Sequence, residues 1–228
     1  MSRANGLHHL AISTADIKKQ IEFFSDVLGM ELIALYWMHG VAGTLHGFMR
    51  LNDNAAVAFV QNDAIKATKA APGVSHAGNP GAASAPGTMQ HVAFNVDGEA
   101  ELLSIRDRIR SRGIPVFGPL DHGMCKSIYF AGLEGLSLEI ATSDAPINGD
   151  AWIDPEVQAL VEIDAEELAR FRHPAPFTGE GGAIKQPVYD PSKPHQAYPP
   201  AVYEHLLAMS DEDFMKLSQS EPPVPIAG

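Results

Sequence analysis

The chain has 228 residues, 45% of them hydrophobic, and a net charge of −12 at pH 7. This length suffices for one core of about 100 to 150 residues plus additional material. The acidic balance argues against nucleic acid as a partner, because phosphate binding needs clustered Lys and Arg. No segment approaches the roughly 18 apolar residues of a membrane helix, so no membrane partner is expected.

The N-terminal segment and the single cysteine bear on location. MSRANG has no apolar signal region behind its arginine, and the lone Cys125 requires no oxidising compartment. A cytoplasmic location is therefore expected.

The first half of the chain predicts a strand, a helix and three strands. LHHLAIS (7–13) is typical of a strand, and apolar residues at helical spacing predict a helix over 15–28 that ends at Gly29. The runs ELIALYW (31–37), HGFMRL (46–51) and AAVAFV (55–60) then predict three strands. This is a βαβββ unit spanning residues 6–61.

The same order of elements returns in residues 88–142. MQHVAFNV (89–96) predicts a strand, 99–112 a helix ending at Gly113, and IPVFG (114–118), KSIYFA (126–131) and LSLEIA (136–141) three strands. Residues 62–87 between the copies are rich in Ala, Gly and Pro, which predicts a mobile linker. We therefore expect an α+β fold in residues 1–142, with two βαβββ repeats forming a cupped mixed sheet.

Composition changes near Ser143. Residues 143–228 carry a net charge of −10 and 12 of the 17 prolines, which predicts an irregular and partly helical C-terminal extension. Helices are expected over 152–163 and 164–172, and shorter ones over 203–207 and 211–217.

Three polar residues stand out in the repeats: two histidines at equivalent positions and one carboxylate in an apolar strand. His9 and His91 occupy equivalent positions in the two first strands, and Glu139 interrupts the apolar last strand. A buried carboxylate without a cationic partner is costly, and a divalent metal removes that cost. A sheet curled so that these strands meet would form a two-His, one-carboxylate site, which suits Fe(II), with Mn(II) as a substitute.

Three motifs in order carry a resemblance to a known family. They are His9 and Asp16 followed by FFSDVLGMEL, then MQHVAFNVD, then YFAGLEGLSLE. Residues 6–142 resemble the vicinal oxygen chelate superfamily, which includes glyoxalase I, fosfomycin and bleomycin resistance proteins, and extradiol ring-cleaving dioxygenases. The resemblance implies a metal site in the cupped sheet. Because Ala58 stands where a fourth ligand would lie, it implies three protein ligands.

Within the superfamily the chain most resembles hydroquinone-type ring-cleaving dioxygenases. The likeness lies in His8-His9, DHGMCKSIYF and LEIATSD. It implies Fe(II) at His9, His91 and Glu139, with Tyr129 hydrogen-bonded to a substrate oxygen and His8 in a supporting role. Three positions depart from those enzymes: His122 replaces an Arg, Ala11 a Thr and Gln90 a His. His122 is a candidate for proton transfer or substrate orientation.

The implied activity is ring cleavage of a catechol- or hydroquinone-like aromatic by O2. Two alternatives stay open: a glyoxalase-like metal-dependent lyase or isomerase, and a ligand-binding protein of the bleomycin-resistance kind. A homodimer is expected, because one paired module leaves sheet edges and apolar surface to cover.

Overall fold

The computed structural model describes residues 3–179 and 181–225, and it contains two four-stranded mixed sheets with flanking helices. The α+β class and the paired βαβββ repeats are thereby confirmed. The first repeat comprises β1 (His9–Ser13), α1 (Ile17–Asp26), β2 (Leu32–Trp37), β3 (Leu45–Asn52) and β4 (Ala55–Gln61). After α2 (Asp63–Ala67), the second comprises β5 (Val92–Asn95), α3 (Glu99–Ser111), β6 (Val116–Asp121), β7 (Lys126–Ala131) and β8 (Ser137–Thr142).

The two sheets have the same topology. Their strand orders are β1-β4-β3-β2 and β5-β8-β7-β6, with a parallel first pair and antiparallel pairs elsewhere. In the first sheet Phe48 pairs with Ala58, and in the second Tyr129 pairs with Glu139. The register therefore makes Ala58 the structural equivalent of Glu139, as the sequence predicts.

One apolar core joins the two repeats. Asp16 caps α1 by accepting a hydrogen bond from the Lys19 backbone N–H at 3.1 Å, and the helix then buries Phe24 against the sheet. The Phe24 ring lies 4.9 Å from the Phe59 ring and 6.3 Å from the Phe94 ring, measured between centroids. Because Phe59 and Phe94 belong to different repeats, the helix packs both sheets into a single core.

Polar contacts also join the repeats at both ends of α1. Arg108 on α3 donates to the carbonyl oxygens of Ser25 and Val27, each at 3.1 Å. Glu134 accepts hydrogen bonds from the Ala15 N–H at 2.8 Å and the Gln20 amide at 3.0 Å. The second repeat thus bonds to backbone groups at both ends of the helix.

The two first strands are shorter than predicted. β1 begins at His9 and β5 at Val92, so His91 lies one residue before its strand rather than within it. The predicted strand 89–96 is wrong at this end because Gln90 is engaged with the preceding linker, as described below.

The linker is held by specific contacts. It contains α2, whose cap Asn62 accepts a hydrogen bond from the Ile65 N–H at 2.9 Å. Further along, the Ala85 N–H donates to the Val74 carbonyl at 3.1 Å. The prediction of a mobile linker missed these contacts, because composition does not reveal capping partners.

The C-terminal extension is helical in short pieces, as predicted, with different boundaries. The expected helix 152–163 is divided before Pro155, which begins a new helix because it can occupy a first-turn position. The helices are α4 (Gly149–Trp152), α5 (Pro155–Leu160), α6 (Ala165–Arg172), α7 (Pro200–Ala208) and α8 (Asp211–Met215). Residues 220–223 line a groove along β2. Among residues 3–179 and 181–225, no helix is long and apolar enough to cross a bilayer.

Candidate metal centre

His91 and Glu139 meet at the second sheet, where His91 is partly exposed and Glu139 is buried. The His91 Nε2 atom lies 2.9 Å from the Glu139 Oε2 atom. Glu139 is only 5% exposed although it is a carboxylate in the middle of β8. The parallel pairing of β5 with β8 brings the two residues together, since Ala93 is the strand partner of Glu139.

Tyr129 and His122 lie beside this pair. Tyr129 is the β7 partner of Glu139, and its ring centroid lies 6.3 Å from that of His91. The His122 Nε2 atom lies 3.0 Å from the Tyr129 hydroxyl oxygen. Burial raises the pKa of Tyr129, and the negative charge of Glu139 raises it further. The hydroxyl therefore keeps its proton at neutral pH and can donate a hydrogen bond.

Gln90 contacts the other nitrogen of the His91 ring. Its Oε1 atom lies against the His91 Nδ1 atom, while its amide nitrogen is bonded to the linker. Sequence reasoning noted Gln90 only as a departure from related enzymes. Its position next to a predicted ligand was the available signal.

His9 lies apart from these residues. It is exposed at the start of β1, where its ring packs against Phe48 with centroids 5.6 Å apart. Throughout residues 3–179 and 181–225, no group of three or more His, Cys, Asp or Glu side chains is placed to hold one metal ion. The structure therefore brings together two of the three predicted ligands, and the expected convergence of both first strands with the last strand does not occur within one chain.

The face around His9 is aromatic. Phe48 packs against His46 with ring centroids 4.4 Å apart and stacks on Tyr36 at 6.3 Å. Burial lowers the pKa of His46, and the charge of His9 lowers it further. The His46 Nε2 atom is buried and has no hydrogen-bond partner among the residues described.

His8 contacts His9 directly. The two Nδ1 atoms lie 2.9 Å apart and the rings meet edge to face. Because β1 begins only at His9, strand alternation does not place the two side chains on opposite faces.

The His91–Glu139 pair has the chemistry of a partial metal site. Imidazole nitrogen and carboxylate oxygen suit divalent transition metals, and a buried carboxylate is stabilised by a cation. These two donors are one short of a facial triad. The residues therefore fit a divalent metal, provided that a third ligand comes from elsewhere.

Comparison with known proteins assigns the family. The model of the Glyoxalase/Bleomycin resistance protein/Dioxygenase superfamily matches residues 6–140, more than half of the chain. The protein therefore belongs to this superfamily, also called the vicinal oxygen chelate superfamily. The match does not distinguish hydroquinone-type dioxygenases from other members. No curated protein sequence matches the chain significantly.

Several solved structures resemble parts of the chain. A glyoxylase/bleomycin resistance protein/dioxygenase domain from Frankia sp. EAN1pec is 11% identical, covers 62% of this chain and 99% of its own, and has a TM-score of 0.49. TnmS3, an antibiotic binding protein from Streptomyces sp. CB03234, is 13% identical over 63% of this chain and 100% of its own, with a TM-score of 0.45. The fosfomycin resistance protein FosX from Listeria monocytogenes, complexed with Mn(II) and sulfate ion, is 16% identical over 62% and 94%, with a TM-score of 0.42.

Proposed function

We propose that the protein is a non-haem Fe(II)-dependent dioxygenase that cleaves the ring of a catechol- or hydroquinone-like aromatic. The observation that carries the proposal is the buried Glu139 carboxylate 2.9 Å from the His91 Nε2 atom. A buried carboxylate within an apolar strand is destabilising unless a cation compensates its charge. Mn(II) is the alternative metal for the same donors.

The third ligand in this proposal is His9 of a second copy of the chain. His9 is exposed at the start of β1, and the His91 side chain is 33% exposed beside Glu139, so His9 of one copy can approach the His91–Glu139 pair of another. Both sheets also end in edge strands with exposed apolar side chains. These are Leu32, Ile33, Leu35 and Trp37 on β2, and Phe117 and Leu120 on β6. A homodimer would cover these surfaces.

The side chains around the ligands suit a phenolic substrate. When bound, the metal would supply a common point of attachment for the aromatic oxygen and O2. Tyr129 would donate a hydrogen bond to a substrate oxygen, and His122, 3.0 Å from the Tyr129 hydroxyl, would pass a proton to or from it. Phe48 and Tyr36 would contact the aromatic ring. His8 would orient His9 through their contact.

The aromatic face of the first repeat also favours a second candidate, a ligand-binding protein of the bleomycin-resistance kind. Stacked Tyr36 and Phe48 can bind a planar ligand without any reaction. A glyoxalase-like lyase or isomerase would use the same metal ligands without consuming O2.

Metal content and oxygen uptake separate these candidates. Protein purified without chelator should contain stoichiometric Fe or Mn, and Fe(II)-loaded protein should consume O2 with one member of a catechol and hydroquinone panel. Metal binding without O2 uptake across the panel would favour the lyase or isomerase. Absence of stoichiometric metal would favour the binding protein.

A further inference from the structure

We infer that Gln90 is a positioning residue that fixes the ring of His91 and ties it to the linker. The inference rests on the proposed function for its metal, while the hydrogen bonds themselves are properties of the chain. It concerns three groups: the Gln90 side chain, the linker carbonyls at 79–82 and the His91 ring.

The linker determines which way the Gln90 amide points. Its nitrogen lies 2.8 Å from the carbonyl oxygen of Pro80, 3.2 Å from that of Ala82 and 3.4 Å from that of Asn79. Carbonyl oxygens only accept hydrogen bonds, so the NH2 group must face them. The opposite orientation would direct the amide oxygen at three other oxygens, which is unfavourable.

The orientation of the amide then determines the orientation of the His91 ring. The Oε1 atom faces the His91 Nδ1 atom and can only accept, so the hydrogen belongs to Nδ1. The remaining ring nitrogen, Nε2, lies 2.9 Å from the Glu139 Oε2 atom, and the carboxylate can accept a hydrogen bond from it only when Nε2 also carries a proton. Gln90 therefore selects the ring orientation in which Nε2 is presented for metal binding.

Partners of this kind change metal affinity without touching the metal. A hydrogen bond to the non-ligating nitrogen fixes the tautomer and rotation of a ligand imidazole, and its loss typically weakens metal binding by about 10- to 100-fold. Here the acceptor is an amide anchored on linker carbonyls, so the linker contributes to the geometry of the site.

Two substitutions distinguish the two roles of the Gln90 side chain, as acceptor for His91 and as donor to the linker. Gln90→Met keeps the length but removes both the acceptor and the donor. Gln90→Glu keeps an acceptor for His91 but removes the donor and places a carboxylate near the linker carbonyls. Gln158→Met is the matched control, because Gln158 also donates its amide to a backbone carbonyl, that of Ile163 at 2.9 Å, but lies in the C-terminal extension.

The readouts are Mn2+ affinity by calorimetry and the protonation of His91 Nδ1 by nitrogen-15 NMR of the metal-free protein. We expect Gln90→Met to weaken Mn2+ binding roughly 10- to 100-fold. The variant should also lose the hydrogen bond in which His91 Nδ1 is the donor. Gln90→Glu should keep Nδ1 protonated while amide exchange in 79–82 accelerates, and Gln158→Met should change neither readout.

Two results overturn the inference: a bare Nδ1 atom in the wild-type chain, or a Gln90→Met variant with wild-type Nδ1 protonation and amide exchange. Because both are read on metal-free protein, they are distinguishable from failure of the proposed function. That failure would appear as wild-type protein that binds no Mn2+ while the Gln90 contacts are intact.

Discussion

The two repeats share a backbone but differ in chemistry at equivalent positions. The first repeat has the apolar pair Phe48–Ala58 where the second has Tyr129–Glu139. Ala58 is fully buried and Glu139 nearly so, which means that the fold accepts either a methyl group or a carboxylate at this point. The buried carboxylate is therefore found only in the second of these two equivalent positions, whereas the first repeat offers the imidazole of His9 beside the aromatic ring of Phe48.

A second comparison concerns the residue before each histidine. His8 precedes His9 and Gln90 precedes His91, and both side chains contact the Nδ1 atom of the following ring. Only Gln90 is also bonded to the linker, while His8 is exposed. The linker therefore anchors the histidine of the second repeat through Gln90, and we propose that a second copy of the chain orders the histidine of the first.

The largest expected effect comes from removing the charge that distinguishes the second repeat. Glu139→Gln keeps the shape of the side chain but replaces an anionic ligand with a neutral amide. Mn2+ affinity measured by calorimetry should fall by more than the roughly 10- to 100-fold loss that is typical when a residue hydrogen-bonded to a metal ligand is removed. Glu31→Gln is the control, because Glu31 forms an exposed ion pair with Arg50. Unchanged affinity in Glu139→Gln would remove Glu139 from the site.

A reciprocal substitution places the second repeat's carboxylate in the first. Ala58→Glu should lower the free energy of unfolding by about 2 kcal/mol or more in metal-free protein, because a carboxylate enters a fully buried site. Added Mn2+ should stabilise this variant more than it stabilises the wild-type chain, since His9 lies on the same sheet face as residue 58. Denaturant unfolding with and without Mn2+ measures both effects.

Ala58→Gln is the matched control for this substitution, because it adds similar volume without a charge. Mn2+ should stabilise it no more than it stabilises the wild-type chain, because only the original site remains. If Ala58→Glu and Ala58→Gln responded equally to the metal, the two repeats would not be equivalent in the way that their register indicates.

The smallest expected effect concerns the contact between the repeats. Arg108→Met removes hydrogen bonds to the Ser25 and Val27 carbonyls and should lower the free energy of unfolding by about 1–3 kcal/mol. Arg106→Met, which removes an ion pair with its exposed neighbour Asp107, should cost about 0–1 kcal/mol. Thermal unfolding compares them, and an equal loss in both variants would show that Arg108 does not join the repeats.

Much of the architecture could be predicted from periodicity and repetition. The strand 126–131 was predicted with the bounds that β7 has, and the equivalence of Ala58 and Glu139 follows from aligning the repeats. The early start predicted for β5 was wrong, since the strand begins at Val92, and the contacts of the Gln90 side chain with linker carbonyls are not encoded by composition. The placement of His9 also required the structure, because a repeat pattern does not state whether two faces meet within one chain or between two.

The most direct test of the central claim uses two variants that each lack a different part of the site. His9→Ala and Glu139→Gln should each bind Mn2+ poorly as pure proteins. If His9 of one copy completes the His91–Glu139 pair of another, refolding the two variants together should restore tight binding at one site per mixed dimer. Calorimetry of the mixture measures this directly. A His9→Ala protein with wild-type affinity, or a mixture that binds no better than its components, would contradict the two-copy metal centre.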